Sequence, residues 1–328
     1  MRCCYLSLRL VRAALKPPDS HSHSLTNALY TDIYSAQAKM AGGKPVYVPL
    51  RSDPEGAGPA WVLDTDELEA AITERTRVFI LNTPHNPTGK VVDAAEMEKV
   101  AAVMRRHPRV VVICDEVYEH MTYDEREHVQ FPTLPDMWER SVTVSSAGKT
   151  FSTTGWKIGW VVGPAPLVKG VALVNQWVQF SVCTPLQQAV AWALQQAQQE
   201  YQGFPSYFHF LRGEYLRKRE LLCTALQSAG LQVVPPEGGF FVMADTSAVQ
   251  VPDKYMQEST AACPSMTRDW AFCRFLTAEV GVTAIPPSAF YQPEDKHLVA
   301  NFARFAFCKQ DDSLQQAAER LQKLKQLS

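Results

Sequence analysis

The chain has 328 residues, of which 46% are hydrophobic and 20% charged, and its formal net charge at pH 7 is -2. This composition is typical of a globular protein and excludes the disordered and fibrous classes. The charge balance supplies no basic face for a nucleic acid, and the longest apolar runs, such as Val110–Cys114, are too short to span a bilayer. We therefore expect neither nucleic acid nor a membrane among its partners.

The amino-terminal segment differs in composition from the rest of the chain. Residues 1–16 contain basic and apolar residues but no acidic one, the basic residues being Arg2, Arg9, Arg12 and Lys16. This composition is typical of a mitochondrial presequence, and a non-native leader on a shortened chain explains it equally well. We set residues 1–24 apart as a leader or presequence, and the predicted location is cytoplasmic or mitochondrial.

The cysteines and acidic residues give no signal of a metal site. The eight cysteines are scattered without any C-x-x-C pair, which argues against a disulfide framework and a zinc site and for a reducing compartment. The adjacent Asp115 and Glu116 suggest magnesium, but no second acidic cluster accompanies them. We expect no metal.

From residue 44 onward, apolar strands alternate with polar loops and amphipathic helices. A buried strand is predicted at Val78–Leu81, followed by a loop rich in proline over Asn82–Gly89. Asp93 then begins a helix as its N-cap and forms a capping box with Glu96. Further strands are predicted at Arg109–Cys114, Val142–Val144 and Ile158–Gly163. This alternation predicts an α/β domain with a mostly parallel sheet sandwiched by helices.

The carboxyl-terminal part of the chain follows a different pattern. Helices are predicted over 186–199, 207–229 and 313–327, and strands over 238–244 and 302–308. Such a mixture predicts a smaller α+β domain. We therefore divide the chain into a large domain over 25–205 and a small carboxyl-terminal domain over 206–328.

Functional polar groups follow three successive predicted strands, just past their carboxyl ends. They are Asn86, Asp115 and Lys149, and this edge of an open parallel sheet is where ligands bind. These three groups suit a pyridine-aldehyde cofactor. The lysine can form an imine with the aldehyde, the carboxylate can pair with the ring nitrogen, and the neutral amide can donate to the ring oxygen. Singly, each residue has an ordinary explanation as a helix cap, an exposed lysine or a turn residue. Their joint order would require three independent coincidences.

A phosphate-binding P-loop is the rival interpretation of Ala147–Thr150. That motif requires a glycine at position 143, where this chain has Thr143 within a predicted strand. Without that glycine the loop cannot wrap a phosphate chain, so we reject a nucleoside triphosphatase.

Several segments together resemble the signature segments of class I aminotransferases, which have the fold-type-I architecture of pyridoxal-phosphate (PLP) enzymes. These segments are Asn82–Gly89, Asp115–Tyr118 and Ser145–Lys157. Within the class, the chain is most similar to the kynurenine/glutamine aminotransferases, which also act as cysteine-S-conjugate β-lyases. Leu134–Arg140, Ala284–Pro286 and Arg304–Phe307 match that subgroup. The resemblance runs from about residue 28 to the end of the chain.

The resemblance implies a role for each residue around the cofactor ring. Lys149 would hold PLP as a Schiff base and, once released by the substrate, would carry the proton from the substrate's Cα. Asp115 would pair with the pyridinium nitrogen and favour its protonated form. Tyr118 and Asn86 would hydrogen-bond the ring oxygen.

The resemblance also implies how the phosphate and the substrate are bound. Ser146 and Lys157 would bind the phosphate, and Arg304 would clamp the substrate's α-carboxylate with its planar, bidentate guanidinium. The implied reaction moves an amino group from kynurenine, glutamine or a similar amino acid to a 2-oxo acid, with a possible β-lyase side activity. The implied assembly is a homodimer.

The family's amino-terminal segment has no counterpart in this sequence. That segment supplies a helix start for the phosphate, so Ser146 and Lys157 would hold the phosphate alone. The family's ring-stacking aromatic aligns with residues 29–34, where Thr31 occupies the expected position beside Tyr30. Two hypotheses follow: an active aminotransferase, or a catalytically impaired aminotransferase-like fragment that acts as a structural subunit.

Overall fold

The computed structural model describes residues 23–28, 32–53 and 60–327. The expected ring-stacking positions, Tyr30 and Thr31, lie outside these residues. The chain forms two compact units. The first contains the chain up to Leu50 together with Leu63–His85 and Val91–Arg212, and the second contains Arg51–Val62, Asn86–Lys90 and Gly213–Ser328. The change from one unit to the other at Arg212 lies within a long helix rather than at residue 205, and the predicted domain limits stay a prediction.

A seven-stranded sheet, most of whose strands belong to the first unit, has the order β3-β2-β1-β4-β5-β6-β7. Its strands are β1 (His23–Ala28), β2 (Lys44–Asp53), β3 (Ala60–Leu63), β4 (Thr76–Asn82), β5 (Val111–Asp115), β6 (Ser141–Ser146) and β7 (Gly159–Val162). Strand β1 pairs in parallel with β2 and β4, and the parallel order continues through β5 to β6. Strand β7 pairs with β6 in the antiparallel direction. The predicted mostly parallel sheet is confirmed, and strand β1 begins at His23, inside the predicted leader.

The helices that accompany this sheet are α1 (Asp32–Met40), α2 (Thr65–Ala71), α3 (Ala94–Arg106), α4 (Ala147–Thr150), α5 (Ala165–Val178), α6 (Thr184–Gln196) and α7 (Tyr207–Ser228). Helices α1 to α4 connect strands of this sheet, and α5 to α7 follow β7; the helices predicted after Asp93 and over 186–199 and 207–229 are present as α3, α6 and α7. Asp93 and Glu96 form the predicted capping box of α3. In the part of the chain that the structure describes, no helix is both long and apolar enough to cross a membrane.

The central strands are buried because helices cover them. Residues 78–81 of β4 and all of β5 are buried, as expected for strands covered on both faces. Helix α1 contributes Tyr34 and Ala38 to the cluster that packs against β4, β5 and β6. These two residues are four positions apart and therefore share one face of the helix. The packing fixes Tyr34 close to the sheet.

Arg140 ties the end of α3 to the start of β5. Its guanidinium donates to the carbonyl oxygens of Met104 (2.5 Å), Val110 (2.6 Å) and His107. Carbonyls at the end of a helix lack partners within the helix, and a charged donor satisfies several of them at once. The subgroup segment Leu134–Arg140 therefore ends in a residue with a clear structural role.

The second unit contains a three-stranded antiparallel sheet in the order β10-β9-β8. Its strands are β8 (Gln232–Val234), β9 (Phe241–Asp245) and β10 (Phe302–Ala306). Its shorter helices are α8 (Asp253–Gln257), α9 (Arg268–Phe275), α10 (Asp311–Leu321) and α11 (Leu324–Leu327). Helix α9 continues into a π-helical turn at Leu276–Val280, and the single helix predicted over 313–327 is two helices. The predicted α+β character is confirmed.

Gly89 has a backbone conformation and a position that exclude other residues. Its φ is +73°, and a Cβ atom there would lie 2.2 Å from the Pro236 Cβ. Its carbonyl oxygen also accepts a hydrogen bond of 2.8 Å from the Gly238 amide. The left-handed backbone and the close contact both favour glycine.

We expect Gly89→Ala to lower the free energy of unfolding by about 3 kcal/mol, because strained backbone and overpacking each cost about 1–3 kcal/mol. Gly230→Ala is the matched control, since Gly230 has φ +88° but no atom within 4 Å of its added Cβ. That control should lose only about 1 kcal/mol. Urea unfolding of both variants measures the two free energies of unfolding. Equal losses of stability would show that the contact with Pro236 adds no energetic cost.

Candidate active site

The carboxyl ends of β4 and β5 are held together by backbone and side-chain hydrogen bonds. Asn82 and Asp115 are paired residues, and the Asn82 side-chain amide donates to the Asp115 carbonyl oxygen at 2.9 Å. The Thr83 amide donates to the same oxygen at 3.2 Å. Asn82 belongs to a signature segment, but its role could not be assigned from the sequence. It fixes the edge from which Asp115 projects.

Asp115 is a buried carboxylate that accepts hydrogen bonds from helix α1 and from the turn that follows β5. The Tyr34 hydroxyl of α1 donates to Oδ2, and the Val117 amide donates to Oδ1 at 3.4 Å. A buried charge is costly unless such donors compensate it. Asp115 is 5% exposed and Tyr34 is 2% exposed, so water contributes little here. Sequence reasoning missed Tyr34, although its helical spacing from Ala38 could have placed it against the sheet.

Lys149 and Tyr118 are close together in the first unit. The Lys149 Nζ lies 5.7 Å from the centre of the Tyr118 ring. Tyr118 is buried and lies in a turn that follows β5. Lys149 lies in the short helix α4 directly after β6. The two residues therefore reach one place from the ends of neighbouring strands.

Ser146 and Lys157 flank the β6–β7 connection. Ser146 is the N-cap of α4, where its hydroxyl accepts from the Gly148 amide at 3.1 Å. Its cross-strand partner is Gly159, so the antiparallel pairing brings Lys157 back towards the end of β6. Lys157 is half-buried and has a left-handed backbone with φ +59°. The Ser146 hydroxyl thus lies at the amino-terminal end of α4, and the backbone of Lys157 returns towards the same strand end.

A second buried acidic group lies next to Asp115. Glu116 is fully buried, and its Oε2 lies 3.0 Å from the His128 Nε2. Burial raises the pKa of the Glu116 carboxyl above its ordinary value, and His128 offsets part of this rise. The sequence drew attention to Glu116 only as part of a magnesium site that we did not adopt, and it gave no sign of His128. No local pattern connects a strand-end glutamate with a histidine in a distant loop.

The second unit contains the remaining two predicted site residues. Arg304 Nη1 donates to Asn86 Oδ1 at 2.9 Å. The guanidinium carbon lies 4.3 Å from the Phe241 ring centre and 4.7 Å from the Phe290 ring centre. Asn86 therefore belongs to the same unit as Arg304, whereas Lys149 and Asp115 belong to the first unit. The sequence did not predict this grouping or the two phenylalanines.

Comparisons with known proteins give one consistent result. A profile described as aminotransferase class I and II matches residues 8–321, which includes part of the predicted leader. The kynurenine–oxoglutarate transaminase of Dictyostelium discoideum is 45% identical over 307 residues, covering 90% of this chain and 69% of the relative. Human kynurenine–oxoglutarate transaminase 3 is 38% identical over 294 residues, covering 88% of this chain and 63% of the relative. The solved structure of Bna3p from Saccharomyces cerevisiae has a TM-score of 0.90 at 33% identity and covers 99% of this chain and 76% of that one.

The residues of the first unit have the chemistry that PLP requires. Asp115 offers a buried carboxylate to a pyridinium nitrogen, and Lys149 offers an amine to an aldehyde. Ser146 and Lys157 offer a hydroxyl and a cation to a phosphate at the start of a short helix. The donor set fits the cofactor that class I aminotransferases use.

We expect Tyr34→Phe to lower the free energy of unfolding, measured without added cofactor, by about 2 kcal/mol, because a buried carboxylate loses a hydrogen-bond donor. Tyr255→Phe is the matched control: its hydroxyl donates to Glu279 at 2.8 Å, and Glu279 is exposed. The control should cost at most about 1 kcal/mol. Similar losses in the two variants would contradict a special role for Tyr34.

Proposed function

Because this chain belongs to the class I and II aminotransferases, as its signature segments predicted, we propose that it is a PLP-dependent aminotransferase. The observation that best supports the proposal is the placement of Asp115 and Lys149 at the carboxyl ends of neighbouring strands, each beside a buried tyrosine. The relatives are named kynurenine–oxoglutarate transaminases, so we propose kynurenine as a donor and oxoglutarate as an acceptor. Glutamine as a donor and a β-lyase side activity remain predictions from the sequence.

Each site residue of the first unit would have its own role at the reacting centre. When bound, PLP supplies a pyridinium ring that withdraws electrons from the substrate's Cα. Asp115, held by the Tyr34 hydroxyl, places a fixed negative charge for the ring nitrogen. Lys149 Nζ acts as the general base that takes the Cα proton. The Tyr118 hydroxyl and the groups of Ser146 and Lys157 orient the ring and the phosphate.

The residues of the second unit would bind the substrate. Arg304 is suited to a carboxylate because its planar guanidinium can donate two parallel hydrogen bonds. Asn86 holds one edge of this guanidinium and would contribute to cofactor binding only through its amide nitrogen. The alternative of an impaired structural fragment has no support from the comparisons, since the curated relatives are named as transaminases.

We also propose a homodimer, because the first unit has an exposed apolar surface without charge. Residues 170–199 contain no Asp, Glu, Lys, Arg or His. Trp177 and Phe180, at the end of α5, are 82% and 85% exposed. Large exposed aromatic residues in an uncharged surface are typical of an interface core. A second copy fits best, because a two-fold interface pairs an uncharged surface with itself.

We expect purified protein mixed with PLP to develop the visible absorption that follows condensation of the aldehyde with a lysine. Lys149→Ala should abolish this band, because the amine that reacts is removed. Lys169→Ala removes an exposed lysine from α5 and should leave the band unchanged. A band that survives in Lys149→Ala, or no band in the unmodified protein, would contradict the proposed function. Half-reactions with a panel of amino acids then identify the donor.

For the homodimer, we expect Trp177→Ser to raise the dissociation constant at least about 30-fold, the size typical of a buried interface tryptophan. Trp138→Ser is the control, because Trp138 is also exposed but lies outside the uncharged stretch. Analytical ultracentrifugation over a range of concentrations measures both constants. A monomeric unmodified protein, or equal effects of the two variants, would show that this surface is not the interface.

A further inference from the structure

Arg304 is held by contacts that restrict how any anion can approach it. The rings of Phe241 and Phe290 face its guanidinium carbon at 4.3 Å and 4.7 Å, and they come from different elements. Phe241 begins β9, and Phe290 ends the 3-10 turn Pro287–Phe290. Both rings are buried, with exposures of 9% and 8%. The guanidinium carbon therefore lies over two buried aromatic rings.

A hydrogen bond from the side chain limits how the guanidinium can rotate. Arg304 Nη1 donates to Asn86 Oδ1 at 2.9 Å. This hydrogen bond restricts rotation of the guanidinium about the axis perpendicular to its plane. The backbone of Arg304 is fixed on both edges, since it pairs with Met243 of β9 and exchanges two hydrogen bonds of 3.0 Å with Ile285. Side chain and backbone are thus both preorganised, which lowers the entropy lost on binding.

We propose that Phe241 and Phe290 are specificity-determining residues that make Arg304 select planar carboxylates over tetrahedral anions. The inference rests on the proposed function, in which Arg304 binds the substrate's α-carboxylate. A carboxylate places both oxygens in the guanidinium plane and accepts two parallel hydrogen bonds. A phosphonate or sulfonate with two oxygens in that plane has a third oxygen outside it.

The third oxygen would meet the aromatic rings. The face of a phenyl ring carries the negative part of its quadrupole, which attracts the guanidinium but repels an anionic oxygen. Both ring centres lie within 5 Å of the guanidinium carbon, at 4.3 Å and 4.7 Å. A tetrahedral headgroup would have to tilt and would lose one of its two hydrogen bonds.

The test compares two probes that differ only in the headgroup, 3-phenylpropanoate and 2-phenylethylphosphonate. Their dissociation constants are measured by calorimetry on the PLP-loaded full chain. We expect the unmodified protein to prefer the carboxylate by at least about tenfold, the equivalent of one lost charged hydrogen bond. Phe290→Leu and Phe241→Leu should each reduce this preference several-fold. They should raise KM for the amino donor while leaving kcat within about twofold, because uniform binding is lost.

Two controls separate specificity from stability. Phe290→Tyr keeps the ring face and should retain the preference. Phe272→Leu truncates a fully buried ring of α9 and should lower the thermal unfolding temperature without changing the preference. An unchanged preference in both leucine variants would overturn the inference. If PLP produces the absorption band but the unmodified protein does not prefer the carboxylate, the inference is wrong and the proposed function stands. If no band forms, both are wrong.

Discussion

The candidate site depends on a negative charge that is buried at the end of a parallel strand. Asp115 is almost inaccessible to water, so its carboxylate must be stabilised by protein donors. The Tyr34 hydroxyl provides one, and it can do so only because helix α1 packs its Tyr34–Ala38 face on the sheet. The Asn82 amide fixes the neighbouring strand end to the Asp115 backbone. The position of the Asp115 charge therefore depends both on the order of the strands and on the packing of helix α1.

The surroundings of Asp115 also limit what can change nearby. Glu116 is the next residue and is fully buried, and its carboxyl is kept at a raised pKa by the same lack of water. A second full charge at that position would repel the Asp115 carboxylate at short range. His128, at 3.0 Å, balances part of this cost. The contrast shows how adjacent acidic residues acquire different environments: Asp115 has hydrogen-bond donors, whereas Glu116 has a histidine and acidic neighbours.

In the second unit, the charge of Arg304 is stabilised by a different kind of contact. The contacts of Arg304 include two aromatic rings against its guanidinium carbon and a hydrogen bond to Asn86. Burial against an aromatic ring costs less free energy for a guanidinium than for a carboxylate. The delocalised cation is weakly hydrated, and it is attracted to the face of the ring. Rigid rings also lose little entropy on folding. The result is a cation whose direction is fixed before any substrate arrives.

Much of the site could be predicted from the sequence, for reasons that are local. A buried strand that ends in Asp115, and a strand that ends just before Lys149, place both residues at the carboxyl edge of a parallel sheet. The capping box of Asp93 and Glu96 involves residues three positions apart, so it too could be predicted. Arg140, in contrast, has carbonyl partners about 30 residues away along the chain. The segment that contains Arg140 could be matched to the subgroup from the sequence, but the structural role of Arg140 could not be predicted.

The sequence by itself determined the family, the α/β class and the residues that follow each strand, because periodicity and signature segments depend on neighbours along the chain. Only the tertiary structure decided which side chains support these residues. Tyr34 reaches Asp115 across 81 positions, and Arg304 reaches Asn86 across 218. The antiparallel direction of β7 and the rings of Phe241 and Phe290 beside Arg304 were likewise decided by packing. Such contacts form only when burial brings distant segments together, and no local pattern records which segments those will be.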